Sequence, residues 1–305
     1  MSSLQITDSI FVFSGFIIIV GAILLYINLL DDMKMVEEHL DKATGLITII
    51  YFFFLALFLT CYSFIGTSII IGVNFNDIHI IGALLFCLSI SILMATIVQI
   101  RLVNSINTSH KQTISSLINI VEARDKSLKG HSLHVRALGL LILDNLPKHM
   151  SKRISRQKFE YACLIHDLGK LGIPESILNK PSSLSENEWQ LMKEHPEIAI
   201  HIIKNICGFN EIGKWILFHH ERMDGQGYYG LFGDEIPLAS KIMTIADSYS
   251  AIVVDRLYRS AMDHDEAIRI MSESSGTQFD PELLNIFFKI DKTKISSFFQ
   301  DKILD

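Results

Sequence analysis

The sequence predicts an all-α chain: three transmembrane helices, a helical connector and a helical water-facing domain. Three observations predict this. Residues 1–100 hold long uncharged runs, and their only basic residues are Lys34 and Lys42. All six prolines lie beyond residue 100. Residues 112–300 place apolar side chains at helical spacing and show no alternating strand pattern.

Taken in chain order, residues 9–30 carry no charge. At 1.5 Å per residue they reach across a hydrocarbon layer of about 30 Å. No basic residue precedes them, which argues against a cleaved leader. The uncharged run 43–76 is longer than one crossing needs, so a span is expected near 46–66, with 67–77 as a turn holding Gly72, Asn74, Asn76 and Asp77. A third span is expected over 79–100, and His79 at its outer edge reads as an interfacial residue.

Basic residues follow the first span (Lys34, Lys42) and the third (Arg101, Lys111, Arg124, Lys126). The positive-inside rule then sets the N-terminus outside and the C-terminal domain in the cytoplasm. No Asp, Glu, Lys or Arg falls in mid-span, which excludes an ion pathway built on intramembrane charge.

Residues 101–124 are expected to form a mostly helical connector, with Ile114, Leu117, Ile118 and Val121 on one face. This seam runs under three heptads; a homodimer through it is one partner reading. The net charge of −6 and the lack of any basic stripe exclude a nucleic-acid polymer as partner. Cys61, Cys87, Cys163 and Cys207 show no disulfide framework and no CxxC pair, which fits reduced thiols.

In the last two hundred residues, apolar helical faces end in groups that ligate metals. Phe159, Ala162 and Cys163 lead to His166; Ile212, Trp215 and Ile216 lead to His219; Ile242, Ile245 and Ala246 flank Asp247. Ser185 and Glu188 form a capping-box pair ahead of Trp189, and Pro196 breaks the helix after His195. Burying such groups without partners is costly, and one shared metal centre removes that cost for all of them. Imidazole with carboxylate suits first-row divalent metals.

Several segments carry a family pattern in order: VEARD at 121–125, GH at 130–131, HDLGKLGIPESILNKP at 166–181, EHP at 194–196, HHERMDGQGY at 219–228, EIPL at 235–238, IAD at 245–247, RLYR at 256–259 and FDP at 279–281. Over about 112–290 the chain resembles the HD-GYP family, a branch of the HD phosphohydrolases. The resemblance implies a phosphodiesterase that opens cyclic di-GMP to pGpG and onward to GMP. It implies two divalent metals, iron or manganese foremost, with zinc, cobalt or nickel as alternatives. The implied ligands are His131, His166, Asp167 and Asp247 for one ion, and His195, His219 and His220 for the other, with Asp167 bridging. Lys170, one turn from His166, is the implied catalytic cation for a phosphate oxygen, and Arg256 and Arg259 match ligand-phosphate contacts. A diguanylate cyclase domain is an implied protein partner.

The chain departs from that pattern at four places. Ser127 stands where some relatives supply a third-metal Glu, so two metals are expected. Gly227-Tyr228-Tyr229 replaces Gly-Tyr-Pro. Leu133 and His134 stand where a Glu-Arg pair is usual, and Ser250 replaces a frequent Asp. The altered loop motivates a second reading, a module that holds the nucleotide or a partner without turnover. A third is turnover of another substrate, such as cyclic di-AMP or a GMP-AMP hybrid.

Packing, turn and surface roles are expected elsewhere. His134 is expected behind the ligands or at the surface; His149, His201 and His264 at the surface; Cys163, Trp215, Tyr249, Phe279 and Pro281 in packing. Glu221 and Arg222 are expected to pair with each other, and Asp224 and Gly225 to form a turn.

Overall fold

A computed structural model describes residues 3–37, 42–71, 78–124, 130–206, 208–254 and 261–295. Contacts divide the chain into two units, 1–110 and 111–305. No strand occurs among the described residues, only isolated bridges between Asp224 and Phe232 and between Ser275 and Phe279.

The first unit is built from α1 (Ser3–Glu37), α2 (Lys42–Ile71) and the apolar part of α3 (Ile78–Arg124). A core of Val12, Ile19, Ala22, Leu55 and Tyr62 joins α1 and α2, and Leu85, Ile92 and Leu93 of α3 pack against it. The Tyr62 hydroxyl meets Ser89 Oγ at 2.5 Å, linking α2 to α3. Other hydroxyls turn back on their own helix: Ser14 donates to Ile10 O, Thr60 to Ala56 O and Ser91 to Cys87 O. Such bonds hide the polar group from an apolar surround. Many large apolar side chains face outward, among them Ile17, Phe53, Phe64, Leu84 and Met94.

Two expectations change here. Helix α2 runs on to Ile71, so 67–71 is helix rather than turn; Ile69, Ile70 and Ile71 extend its apolar run, and a backbone in such a run satisfies itself best as helix. Residues 72–77 lie outside the described residues. Among the described residues one helix, Ala83–Arg124, is long and apolar enough to cross a membrane, not three; the apolar helices Val12–Asn28 and Phe53–Ser68 fall short of 18 residues. The connector is continuous helix, the last part of α3.

The second unit begins with the end of α3 and continues through α4 (His131–Asp144), α5 (Lys148–Ser151), α6 (Arg156–Ile165), α7 (Glu175–Leu178), α8 (Glu186–Lys193), α9 (His195–Ile203), α10 (Asn210–Leu217), α11 (Leu238–Val253), α12 (His264–Glu273) and α13 (Pro281–Phe288). Helix α4 packs on α6 and α11, and α10 packs on α6 and α9. Val135, Leu138, Phe159, Ala162, Ile212, Ile216, Ile242 and Ile245 fill the core between them. Phe159 and Trp215 meet edge to face at 6.3 Å, and Tyr249 meets Phe287 at 5.1 Å, so both aromatic residues pack as expected.

Capping sets the helix starts. Ser185 and Glu188 close a reciprocal capping box on α8. Asp263 and Asp280 cap α12 and α13 through their side chains. Pro196 sits in the first turn of α9, so the chain stops one helix before His195 and starts the next with it.

Candidate metal centre

Three imidazoles reach the same point by one local device. His166, His195 and His219 each follow the last turn of a helix, α6, α8 and α10. Each donates its Nδ1–H to the carbonyl three residues back: Cys163 O at 2.8 Å, Met192 O at 2.8 Å and Ile216 O at 2.5 Å. A helix C-terminus leaves such carbonyls without partners. The bond fixes the tautomer, so each Nε2 carries a lone pair, and each of these Nε2 atoms is buried without a hydrogen bond. Buried polar atoms without partners are rare and ask for an occupant.

The turn 168–172 after Asp167 lies against the start of α9. The approach is close enough that a Cβ at Gly169 would stand 1.7 Å from the carbonyl oxygen of His195. This brings Asp167 between two groups of histidines. Its Oδ1 lies 3.6 Å from His195 Nε2; its Oδ2 lies 3.4 Å from His166 Nε2 and 4.0 Å from His131 Nε2. Asp247, from α11, lies 3.0 Å from His131 Nε2 and 3.9 Å from His166 Nε2. His220 lies tilted beside His219, 3.9 Å between ring centres, and stands 5.1 Å from His195. Potential ligand atoms therefore fall into two groups, Asp167 with His195, His219 and His220, and Asp167 with His131 and His166.

The electrostatics suit cation capture. Burial pushes the imidazoles of His131 and His219 down, His195 to about 3 and His220 to about 4, so all four are neutral donors. Burial favours the neutral form of His166 as well, but Asp167 outweighs it and raises that ring. Burial opposes ionisation of Asp167, yet Lys170 and His166 hold its carboxyl well below the usual range. At Asp247 burial is overcome by the hydrogen bond from His131. Neutral imidazoles around anionic carboxylates fit a divalent ion of the first transition row.

Lys170 Nζ lies 2.7 Å from Asp167 Oδ2. The end of α3 braces both ligand-bearing segments. Glu122 accepts from Gly130 N at 2.8 Å, just before His131, where Gly130 turns with φ 69°. Arg124 donates to Leu171 O, and to Ile173 O at 2.7 Å, just after Lys170. At the other end, Ser240 Oγ donates to Trp215 O at 2.8 Å and Thr244 Oγ1 lies 2.7 Å from His219 O, tying α10 to α11.

A family model described as the HD domain matches residues 115–283. The chain belongs to the HD domain family. Over 214 residues this HD-domain chain is 36% identical to a cyclic di-GMP phosphodiesterase of Vibrio cholerae serotype O1, covering 65% of this chain and 43% of that protein. It is 37% identical over 170 residues to the 3'3'-cGAMP-specific phosphodiesterase 3 of the same organism, covering 55% and 36%. It is 38% identical over 138 residues to a cyclic di-GMP phosphodiesterase of Thermotoga maritima, covering 44% and 38%. The chain thus spans less than half the length of these curated relatives.

All seven expected ligands of the HD domain converge. Arg256, Arg259, Ser127 and Cys207 lie outside the described residues. Two expectations are corrected. Arg222 pairs with Asp224 at 2.7 Å rather than with Glu221. Glu221 is buried and accepts from Tyr229 N at 2.6 Å and Leu231 N at 2.7 Å, because the amides of the returning loop reach it and the adjacent guanidinium points away. The surface reading of His264 gives way to a half-buried ring whose Nδ1 lies 2.8 Å from the Tyr249 hydroxyl. The loop held by Glu221 sets the Tyr228 ring 4.7 Å from His220, with Lys193 Nζ 5.8 Å from the same ring. Burial, with Asp167 and Asp247 nearby, pushes the Tyr228 phenol up to about 12, so it stays protonated.

Proposed function

We propose that the chain is a membrane-anchored, metal-dependent cyclic dinucleotide phosphodiesterase of the HD-GYP kind, with cyclic di-GMP as substrate. The observation that carries this is the shared carboxylate of Asp167, with one oxygen toward His195 and the other toward His166 and His131. In this reading His131, His166 and Asp247 hold one ion, His195, His219 and His220 hold a second, and Asp167 serves both. Iron or manganese is the expected metal.

When bound, a divalent pair supplies a water acidified toward neutral pH and a clamp on the phosphate. The remaining work falls to the chain. In the hydrolysis, a water oxygen bonds to phosphorus, the P–O3′ bond breaks and a proton ends on O3′, giving pGpG. Lys170 holds positive charge beside Asp167, where a phosphate oxygen gathers negative charge in the transition state. Arg256 and Arg259 are proposed to hold the outer phosphates by their forked donors. Tyr228 walls the His220 side and limits water entry.

Anchoring rests on the apolar outer face of the first unit and on its inward-turned hydroxyls. The proposal places the crossing in the apolar part of the Ala83–Arg124 helix, with the HD domain cytoplasmic. The homodimer and the cyclase partner remain proposals of the same kind.

The similarity to a 3'3'-cGAMP-specific enzyme favours a second reading for substrate, with the same chemistry on a hybrid dinucleotide. The test uses the full chain in detergent, loaded with Mn2+ or Fe2+, and separate reactions with cyclic di-GMP, 3'3'-cGAMP and cyclic di-AMP. Fastest conversion of cyclic di-GMP to a linear product supports the proposal, and preference for cGAMP supports the second reading. No linear product from any substrate contradicts both.

A further inference from the structure

His134 and Ser250 both depart from the HD-GYP pattern, and they are 116 positions apart in the chain. The fold brings them into contact. Ser250 Oγ lies 2.8 Å from His134 Nδ1 and 3.0 Å from His131 Nδ1. Ser250 is fully buried and His134 nearly so. Asp247 and Ser250 stand one turn apart on α11, as His131 and His134 do on α4. One turn of α11 therefore grips both edges of a single imidazole: Asp247 faces His131 Nε2 at 3.0 Å, and Ser250 faces its Nδ1.

His131 needs this grip for a reason of position. His166, His195 and His219 fix their tautomers on carbonyls of a preceding helix turn. His131 is instead the first residue of its helix, and among the described residues its Nδ1 lies 3.0 Å from Ser250 Oγ. Without an ion, Nε2 faces Asp247 at 3.0 Å and can donate to it; to offer Nε2 to a metal the ring must carry its proton on Nδ1 instead, and that N–H needs an acceptor. Ser250 Oγ, 3.0 Å from Nδ1, is placed to accept it. A hydroxyl that accepts must also place its own hydrogen, and His134 Nδ1 is within reach to take it.

We propose that Ser250, backed by His134, is the positioning pair that sets the tautomer and ring angle of His131 for the ion it would share with His166, Asp167 and Asp247. The inference rests on reading the cluster as a metal centre. It also accounts for why the two departures occur together: a hydroxyl and a neutral imidazole satisfy each other, where a lone guanidinium or carboxylate in that buried place would be left without an opposite charge.

The test is Mn2+ titration by calorimetry of the full chain in detergent after chelator stripping. Ser250→Ala is expected to weaken one Mn2+ ion by about 10–100-fold and leave the other within about twofold. Ser250→Thr keeps the hydroxyl and should bind as the unaltered chain does. His134→Asn keeps an acceptor near the Nδ1 position and should also bind normally, while His134→Leu should weaken the same ion as Ser250→Ala. If Ser250→Ala loses helix content by circular dichroism, the comparison of His134→Asn with His134→Leu decides. The inference is overturned if Ser250→Ala binds both ions with unaltered affinity, or if Thr proves as poor as Ala. An unaltered chain that takes up no Mn2+ overturns the metal-centre reading and the inference together.

Discussion

Gly169 sits so close to His195 that a Cβ at residue 169 would fall 1.7 Å from the His195 carbonyl oxygen and 2.6 Å from its carbonyl carbon. The obstacle is backbone, which cannot swing aside as a side chain can. Glycine here lets the turn after Asp167 press on α9 and face the Asp167 carboxylate toward the His195 ring. Gly169→Ala should therefore destabilise the protein by about 1–3 kcal/mol or more, through forced backbone movement, and lower metal uptake with it. Denaturant unfolding and metal content measure both. Unchanged stability with full metal content would refute the close-packing argument.

Glu221 should act through the loop, not through the substrate. Its carboxylate accepts two amides, from Tyr229 and Leu231. Glu221→Gln replaces one acceptor oxygen by a donor, which leaves a buried amide unsatisfied at a cost of about 1–3 kcal/mol. Faster amide exchange across 226–231 is expected, with KM rising as Tyr228 leaves His220. Unchanged exchange in that loop would remove Glu221 from this role.

Arg124 should couple the end of α3 to the turn that carries Lys170. It donates to two carbonyls, of Leu171 and Ile173. Charged hydrogen bonds of this type are worth about 1.5–3 kcal/mol each when partly buried. Arg124→Ala should speed exchange of the 168–173 amides and lower kcat more than it alters the melting of α12 or α13. Equal loosening across the whole second unit would instead make Arg124 a general stabiliser.

The pH dependence of the metal-free protein follows from the buried histidines. His195 and His220 are lowered to about 3 and about 4 in the fold, against about 6.5 in an unfolded chain. Between these values the unfolded state binds more protons, so stability rises with pH there. The contribution of these two rings should be present above about pH 6.5 and fall as pH drops toward 4, while His166, raised by Asp167, contributes in the opposite sense. Asp167 and Asp247, both lowered, add a further loss below about pH 4. Chelated protein followed by denaturant midpoint from pH 7.5 to 4 provides the measurement; a flat midpoint contradicts the burial of neutral imidazoles.

Much of the site was legible because each candidate ligand ends an apolar face. Phe159, Ala162 and Cys163 point inward, so His166 after them must point inward too. Capping was equally readable at Ser185 and Glu188, whose partners are local. What lay hidden was reciprocal contact between distant segments. Nothing in the chain marks Ser250 as touching His134, since each is an ordinary residue on its own helix. Glu221 was misread for the opposite reason: Arg222 is adjacent in sequence, but the loop amides arrive eight and ten residues later. The carbonyl bonds that fix three imidazoles depend on where helices end, and periodicity locates ends poorly. In the first unit, the uncharged run past residue 66 hid the end of α2, because an apolar run carries no stop signal before Gly72.

The most direct test of the account is metal stoichiometry of the full chain and of Asp167→Ala, measured by elemental analysis after loading with Mn2+ and desalting. Two ions per chain are expected, with Asp167→Ala losing affinity for both because its carboxylate faces both histidine groups. Undiminished binding in Asp167→Ala, or no bound metal in the unaltered chain, would contradict it.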